Sequence, residues 1–81
     1  MKWYIIKPQS YETDQNLMDG IKEVHKDAEF TENLEEANRC VLQRGWCNSR
    51  SCARELQQAK DLRIRCEEGY LYTDRYSAST N

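Results

Sequence analysis

The predicted fold depends mainly on the stretch Leu62-Arg63-Ile64-Arg65-Cys66-Glu67-Glu68-Gly69-Tyr70-Leu71-Tyr72. Residues 62 to 66 alternate apolar and charged side chains, the period of a strand with one buried face. Residues 67 to 69 provide a turn, and residues 70 to 72 continue as a second short strand. The pattern predicts an antiparallel β-hairpin at the end of the domain.

A first strand is predicted near the amino terminus, over residues 2 to 7. The run Trp3-Tyr4-Ile5-Ile6 is aromatic and β-branched on both faces, which is typical of a strand covered on each side. Pro8 then closes it. The chain therefore contributes at least three strands, of which only the last two have a predicted pairing.

Three helical patterns separate the first strand from the hairpin. The first begins at Thr13 or Asp14, the second begins at Asn33 and ends near Arg44, and the third begins at Ser49. Their apolar side chains recur at helical spacing. These positions are Leu17, Ile21, Val24 and Ala28 in the first helix, Leu34, Ala37 and Val41 in the second, and Cys52, Leu56 and Ala59 in the third.

Together these elements predict an α+β domain in the order strand, helix, helix, helix, strand, strand. The helices are expected on one side of a small, at least partly antiparallel, three-stranded sheet. At 81 residues the chain has room for one modest core. We assign residues 1 to 76 to a single globular domain and residues 77 to 81 to a frayed polar tail.

The amino-terminal apolar run is too short for a signal peptide core or a membrane span. We therefore expect a cytoplasmic protein without membrane contact. Net charge is −2, but it is unevenly distributed. Nine acids and two lysines give residues 11 to 36 a local charge of −7, whereas residues 39 to 54 carry four arginines and no acid. The pattern predicts an acidic face and a basic face.

Four cysteines without a secretion signal are more typical of reduced thiols or metal ligands than of disulfides. Cys47, Cys52 and Cys66 are candidate zinc ligands, and Cys40 or His25 could complete a tetrahedral set. The alternative is that the thiols are small apolar side chains of the core, because Cys40, Cys52 and Cys66 fall on apolar stripes.

Residues 46 to 66 resemble part of the carboxy-terminal zinc-binding domain of archaeal-type prolyl-tRNA synthetases. The similarity rests on Trp46-Cys47, Cys52, the helix around Leu56, and Ile64-Arg65-Cys66. It implies a zinc-stabilised module associated with tRNA or other nucleic acid, without the aminoacylation activity of a catalytic domain.

The sequence contains no catalytic motif of known spacing, so we predict that the chain is not an enzyme and needs no cofactor. Size and charge segregation favour a protein-binding module. Its general layout also looks like that of some small anti-CRISPR proteins, which implies a phage-encoded inhibitor of host machinery. The candidate contact residues are Arg39, Arg44, Arg50 and Arg54 on the basic side, Glu32, Glu35 and Glu36 on the acidic side, and the aromatic Tyr70 and Tyr72. The alternative is the zinc-stabilised nucleic-acid module.

Overall fold

A computed structural model describes residues 1–73, which form a four-stranded sheet with helical segments on both faces. The elements run in this order: β1 (Lys2–Ile6), α1 (Gln15–Val24), β2 (Glu29–Phe30), a 3₁₀ turn (Leu34–Glu36), β3 (Arg39–Leu42), a 3₁₀ turn (Trp46–Asn48), α2 (Arg50–Asp61) and β4 (Arg65–Glu68). A helical turn follows at residues 70 to 73.

All strand pairs are parallel, and the strand order is β2-β1-β3-β4. The chain thus mixes α and β structure as predicted, but the antiparallel hairpin and the three-stranded sheet are wrong. Parallel neighbours need a crossover rather than a tight turn, which is why every strand is followed by a helical segment or a long loop.

Alternating side chains of the two central strands form two cores, one on each face of the sheet. Trp3 of β1 and Val41 of β3 pack with Leu17 and Ile21 of α1. On the opposite face, one cluster contains Ile6, Cys40 and Leu42 from the central strands, Cys52 and Ala59 from α2, and Leu34 from the first 3₁₀ turn. The expectation that all helices lie on one side is therefore wrong.

The largest error concerns the second predicted helix. Asn33 does cap a helical turn, since its side chain accepts a hydrogen bond from the Glu35 backbone N–H, but that turn ends at Glu36. Residues 39 to 42 instead form β3, in which Cys40 and Val41 are completely buried. A strand covered on both faces has a continuous apolar run, and so short a run does not distinguish it from a helix.

The predicted hairpin fails at Gly69. Its backbone N–H donates to the carbonyl of Leu42, and a Cβ at this position would lie 2.6 Å from that oxygen. Close backbone contact to β3, rather than a reversal of direction, is what requires glycine here. Residues 65 to 68 pair parallel to β3, and Tyr70 to Tyr72 are helical.

The first predicted strand and the starts of the first and third predicted helices are confirmed. The first strand is β1, the first helix begins after the Asp14 cap, and the third begins after Ser49. The first helix ends at Val24, however, so the predicted helical position Ala28 is buried but belongs to the loop that follows the helix. No helix in the described part of the chain is long and apolar enough to cross a membrane. The predicted tail, residues 77 to 81, lies outside the described residues.

A polar network attaches the last helical turn to the sheet. The Tyr72 hydroxyl donates to Glu67 Oε2 at 2.6 Å, and Arg39 Nη1 lies 3.0 Å from Glu67 Oε1. Arg65 Nε lies 3.4 Å from the same Oε1. Glu67 therefore links β3, β4 and the terminal turn.

Candidate functional site

The strand order defines where a ligand site is expected. From β1 the chain moves outward to β2, and from β3 it moves outward in the opposite direction to β4. In open parallel sheets, a crevice forms at the carboxyl ends of the strands where the order reverses, and ligands commonly bind there. In this chain that position lies between the ends of β1 and β3.

A cavity of about 760 Å³ lies next to this position, beside β1 and β2, and no residue of β3 lines it. Its size is in the range of small-molecule sites, which is about 300–1,000 Å³. Side chains from both strands, from the loop after β1, from α1 and from the start of α2 surround it. They are Tyr4, Ile5, Lys7, Gln9, Thr13, Met18, Phe30, Thr31, Glu32, Ser51, Arg54 and Glu55.

The most specific feature of this cavity is the pair formed by Tyr4 and Glu55. The Tyr4 hydroxyl donates a hydrogen bond to Glu55 Oε2, and both side chains are half-buried. Burial, together with the hydrogen bond and charge of Glu55, raises the pKa of Tyr4 well above its usual value. Tyr4 therefore remains protonated at neutral pH and acts as the donor, while Glu55 is the acceptor.

Local structure explains how the pair is positioned. Tyr4 lies on the face of β1 that α2 covers, two residues before the completely buried Ile6 of the same face. Glu55 lies in the second turn of α2, three residues after the buried Cys52. Cys52 packs the helix against the sheet, and the next turn consequently brings Glu55 to Tyr4.

Gln43 fixes the loop between β1 and α1, which supplies Lys7, Gln9 and Thr13 to the cavity. It is buried, with 5% of its surface exposed, at the end of β3. Its side-chain amide donates to the carbonyl of Glu12 at 2.9 Å and its side-chain oxygen accepts from the Asp14 backbone N–H at 2.9 Å. These bonds hold the loop after β1 and the start of α1 against β3.

A second cavity, of about 640 Å³, lies beyond β3 at the same edge of the sheet. Arg44, Trp46, Cys47, Glu68 and Tyr70 are among its lining residues. It contains no hydrogen-bonded pair comparable to Tyr4 and Glu55 among the described residues.

Three of the four predicted cysteine ligands lie in one core cluster, and Cys47 lies outside it. Cys40 and Cys52 are buried and Cys66 is half-buried in the core beneath α2, whereas Cys47 is exposed in the second 3₁₀ turn. Residues 1–73 contain no group of three or more histidine, cysteine or acidic side chains that could hold a metal ion. Three of the four thiols thus occupy the core positions that the alternative interpretation gave them.

His25 also lies away from the cysteines. It follows the last turn of α1, and its ring centroid is 5.0 Å from that of Trp3. Its Nε2 is 3.5 Å from the Tyr72 hydroxyl, so its neighbours are core aromatics.

The predicted contact residues divide into three groups. Arg44, Arg50, Arg54, Glu32, Glu35 and Glu36 are exposed. Arg39 is half-buried in its ion pair with Glu67. Tyr70 is 56% exposed, whereas Tyr72 is 4% exposed, so the two tyrosines do not share a face as a hairpin would require.

Sequence reasoning missed Tyr4 and Glu55. The two residues are 51 positions apart, and no spacing along the chain relates them. The available signal was weak: a tyrosine among the buried residues of β1 and the first acid after eighteen residues without one. Comparison of the chain with protein-family models, with curated proteins and with solved structures found no match.

Proposed function

We propose that the chain binds a nucleoside-like small molecule in the cavity beside β1 and β2, and that Glu55 reacts at the bond between its sugar and its base. The observation that carries the proposal is the Tyr4–Glu55 hydrogen bond inside a cavity at the carboxyl edge of a parallel sheet. Reactive carboxylates are commonly oriented by a second group in this way.

The chemistry of the cavity wall supports the ligand class. Ile5, Met18 and Phe30 provide an apolar surface for a planar ring. Polar side chains with hydroxyl or amide groups, which suit the edge of a heterocycle and the hydroxyls of a sugar, line the remainder. These are Gln9, Thr13, Thr31 and Ser51, and the cations Lys7 and Arg54 lie beside them.

Two carboxylates, Glu55 and Glu32, line the same cavity. Glycosidic bonds are commonly cleaved between a pair of carboxyl groups, one of which can act as the nucleophile. In the proposed step a Glu55 oxygen forms a bond to the sugar carbon while the carbon–nitrogen bond breaks. The bonding electrons leave with the base, which takes up a proton from water. Water or a second base, either of which gives up a proton, then displaces Glu55 from the sugar carbon and restores its carboxylate. Tyr4 holds the carboxylate in place throughout.

The test is an assay of base release. The purified chain is incubated with a panel of ribo- and deoxyribonucleosides and their monophosphates, and free base is measured by chromatography. Glu55→Gln keeps the size of the side chain but removes the carboxylate, so we expect at least a ~100-fold loss of rate. Tyr4→Phe removes only the donor and should cause a smaller loss. Glu29→Gln, an exposed acid on β2 outside the cavity, is the matched control.

Binding is measured separately by thermal shift with the same panel. Ligand binding without base release would retain the site but overturn the reaction. Equal base release by wild type and Glu55→Gln would overturn the role of Glu55. If no nucleoside raises the melting temperature or releases base, the ligand class is wrong, and the predicted non-enzymatic module becomes the better explanation.

The second candidate is that non-enzymatic module: a protein-binding domain, of the kind that phages use as inhibitors. The observation favouring it is that the acids of the β2–β3 connection, Glu32, Glu35 and Glu36, are all exposed, as are Arg50 and Arg54 at the start of α2. Surfaces of opposite charge accelerate association with complementary partners.

We expect charge reversal to slow association of the chain with a captured protein partner. One variant carries Glu32→Lys, Glu35→Lys and Glu36→Lys together, and the other carries Arg50→Glu and Arg54→Glu. Each is compared with wild type by surface plasmon resonance at low and high salt. A fall in association rate of tenfold or more that salt abolishes would identify the contact face. Unchanged rates for both would contradict this candidate. Binding to tRNA that weakens steeply with salt would instead support the synthetase-like alternative.

A further inference from the structure

We propose that Cys40 and Cys66 form a dithiol that a two-electron oxidant such as hydrogen peroxide converts into an intramolecular disulfide. The two residues are Cα partners on neighbouring parallel strands, β3 and β4. Both belong to the core cluster beneath α2, so their side chains lie on the same face of the sheet. This modification site is independent of the proposed function.

Strand geometry brings the two residues within reach of a disulfide. Neighbouring strands are about 4.7–4.9 Å apart, and disulfide-bonded residues have Cα atoms about 4.4–6.8 Å apart. The Cβ atoms must come slightly closer than strand spacing allows, to about 3.5–4.5 Å. The bond would therefore be strained, and strained disulfides are the ones that reductants reverse readily.

The two thiols are suited to different steps. Cys40 is completely buried, whereas Cys66 is half-buried on the edge strand β4. Burial raises the pKa of both thiols, that of Cys40 to about 12, whereas the charge of Lys60 acts in the opposite direction on the pKa of Cys66. Cys66 is consequently the thiol that meets the oxidant, and Cys40 is the thiol that resolves the product.

The Cys66 thiolate attacks one oxygen of hydrogen peroxide, the O–O bond breaks, and water and a sulfenic acid result. The Cys40 sulfur then attacks the Cys66 sulfur, an S–S bond forms and the hydroxyl leaves as water. Two thiols are oxidised and one peroxide is reduced to two waters.

The experiment uses the full chain carrying Cys47→Ser, since Cys47 is exposed and would otherwise link separate chains. After treatment with hydrogen peroxide, we expect titratable thiols to fall from three to one, and the intact mass to fall by two hydrogen atoms. Trypsin cleaves after Arg44, after Arg54 and after the other arginines and lysines between the three cysteines. Cys40, Cys52 and Cys66 therefore fall on separate peptides. The Cys40 and Cys66 peptides should appear linked, and dithiothreitol should restore both thiols.

Two variants make the result decisive. Adding Cys40→Ser should stop the reaction at the Cys66 sulfenic acid, which dimedone traps, whereas adding Cys52→Ser should leave disulfide formation unchanged. A Cys40–Cys52 or Cys52–Cys66 link would overturn the proposal. A product that gains oxygen without any disulfide, in a chain that circular dichroism shows to be folded, would also overturn the proposal.

Discussion

Replacing Trp3 by alanine is expected to lower the free energy of unfolding by about 3–5 kcal/mol, the usual cost of truncating a large buried aromatic side chain. Trp3 is completely buried on the central strand β1. It contacts α1 and the terminal helical turn through the cluster that contains Leu17, Ile21 and Tyr72. Its removal therefore opens a cavity between three elements at once. Domains of this size have about 5–15 kcal/mol of stability in total, so the variant should be close to unfolding.

Urea denaturation at 10 °C, followed by circular dichroism, measures the loss. Trp3→Phe should lose much less, because the indole Nε1 is buried yet makes no hydrogen bond with residues 1–73. Trp46→Ala is the matched control, since Trp46 is only half-buried at the other core cluster. A loss below about 1 kcal/mol for Trp3→Ala would show that Trp3 is not a core residue.

Replacing Glu67 by alanine is expected to cost about 2–3 kcal/mol, the range for hydrogen bonds to a charged partner in a partly buried network. The variant leaves Arg39 without its close ion pair and leaves the Tyr72 hydroxyl without its acceptor. Glu67→Gln should retain the hydrogen bond from the Tyr72 hydroxyl and lose less stability. Glu68→Ala, the next residue of β4, is the control. Equal urea midpoints for Glu67→Ala and Glu68→Ala would contradict the network's role.

The same network predicts alkaline instability. Burial, followed by the hydrogen bond and charge of Glu67, raises the pKa of Tyr72 to about 12. In the unfolded chain a tyrosine ionises near pH 10. The stability contributed by protonated Tyr72 is therefore complete below about pH 10 and is lost as the pH rises towards 12. Urea midpoints measured from pH 8 to 11.5 should fall less steeply in Tyr72→Phe than in wild type.

The starts of two helices, each marked by a capping residue or an apolar stripe within a few residues, were predicted correctly. The Asp14 cap and the apolar stripe of Leu17 and Ile21 were sufficient for α1, and Ser49 marked the start of α2. Residues 39 to 42 were wrongly predicted as helix, because a strand buried on both faces lacks the alternation of apolar and polar residues that identifies strands with one exposed face. Gly69 was misread because a turn glycine and a close-contact glycine look alike in sequence.

The candidate site was less predictable than the fold. Tyr4 and Glu55 come together only because β1 lies beside β3 and α2 packs over both, which is a property of the sheet order. The cysteines show the opposite case. The apolar patterns around Cys40, Cys52 and Cys66 indicated a core environment, and all three lie in the core cluster, although Cys40 belongs to β3 rather than to the predicted helix.

The parallel sheet also has a consequence for how the chain reaches its folded state. Lys2 pairs with Glu29, Trp3 with Arg39, and Arg39 with Arg65, so every strand pair closes a long segment of chain. Bringing together residues that are distant in sequence costs chain entropy before the contacts between them stabilise the fold. Despite its small size, the domain should therefore refold more slowly than a helical bundle of equal length. During synthesis, β1 has no partner strand until residue 29 has emerged, and it acquires its longer partner only with residues 39 to 42.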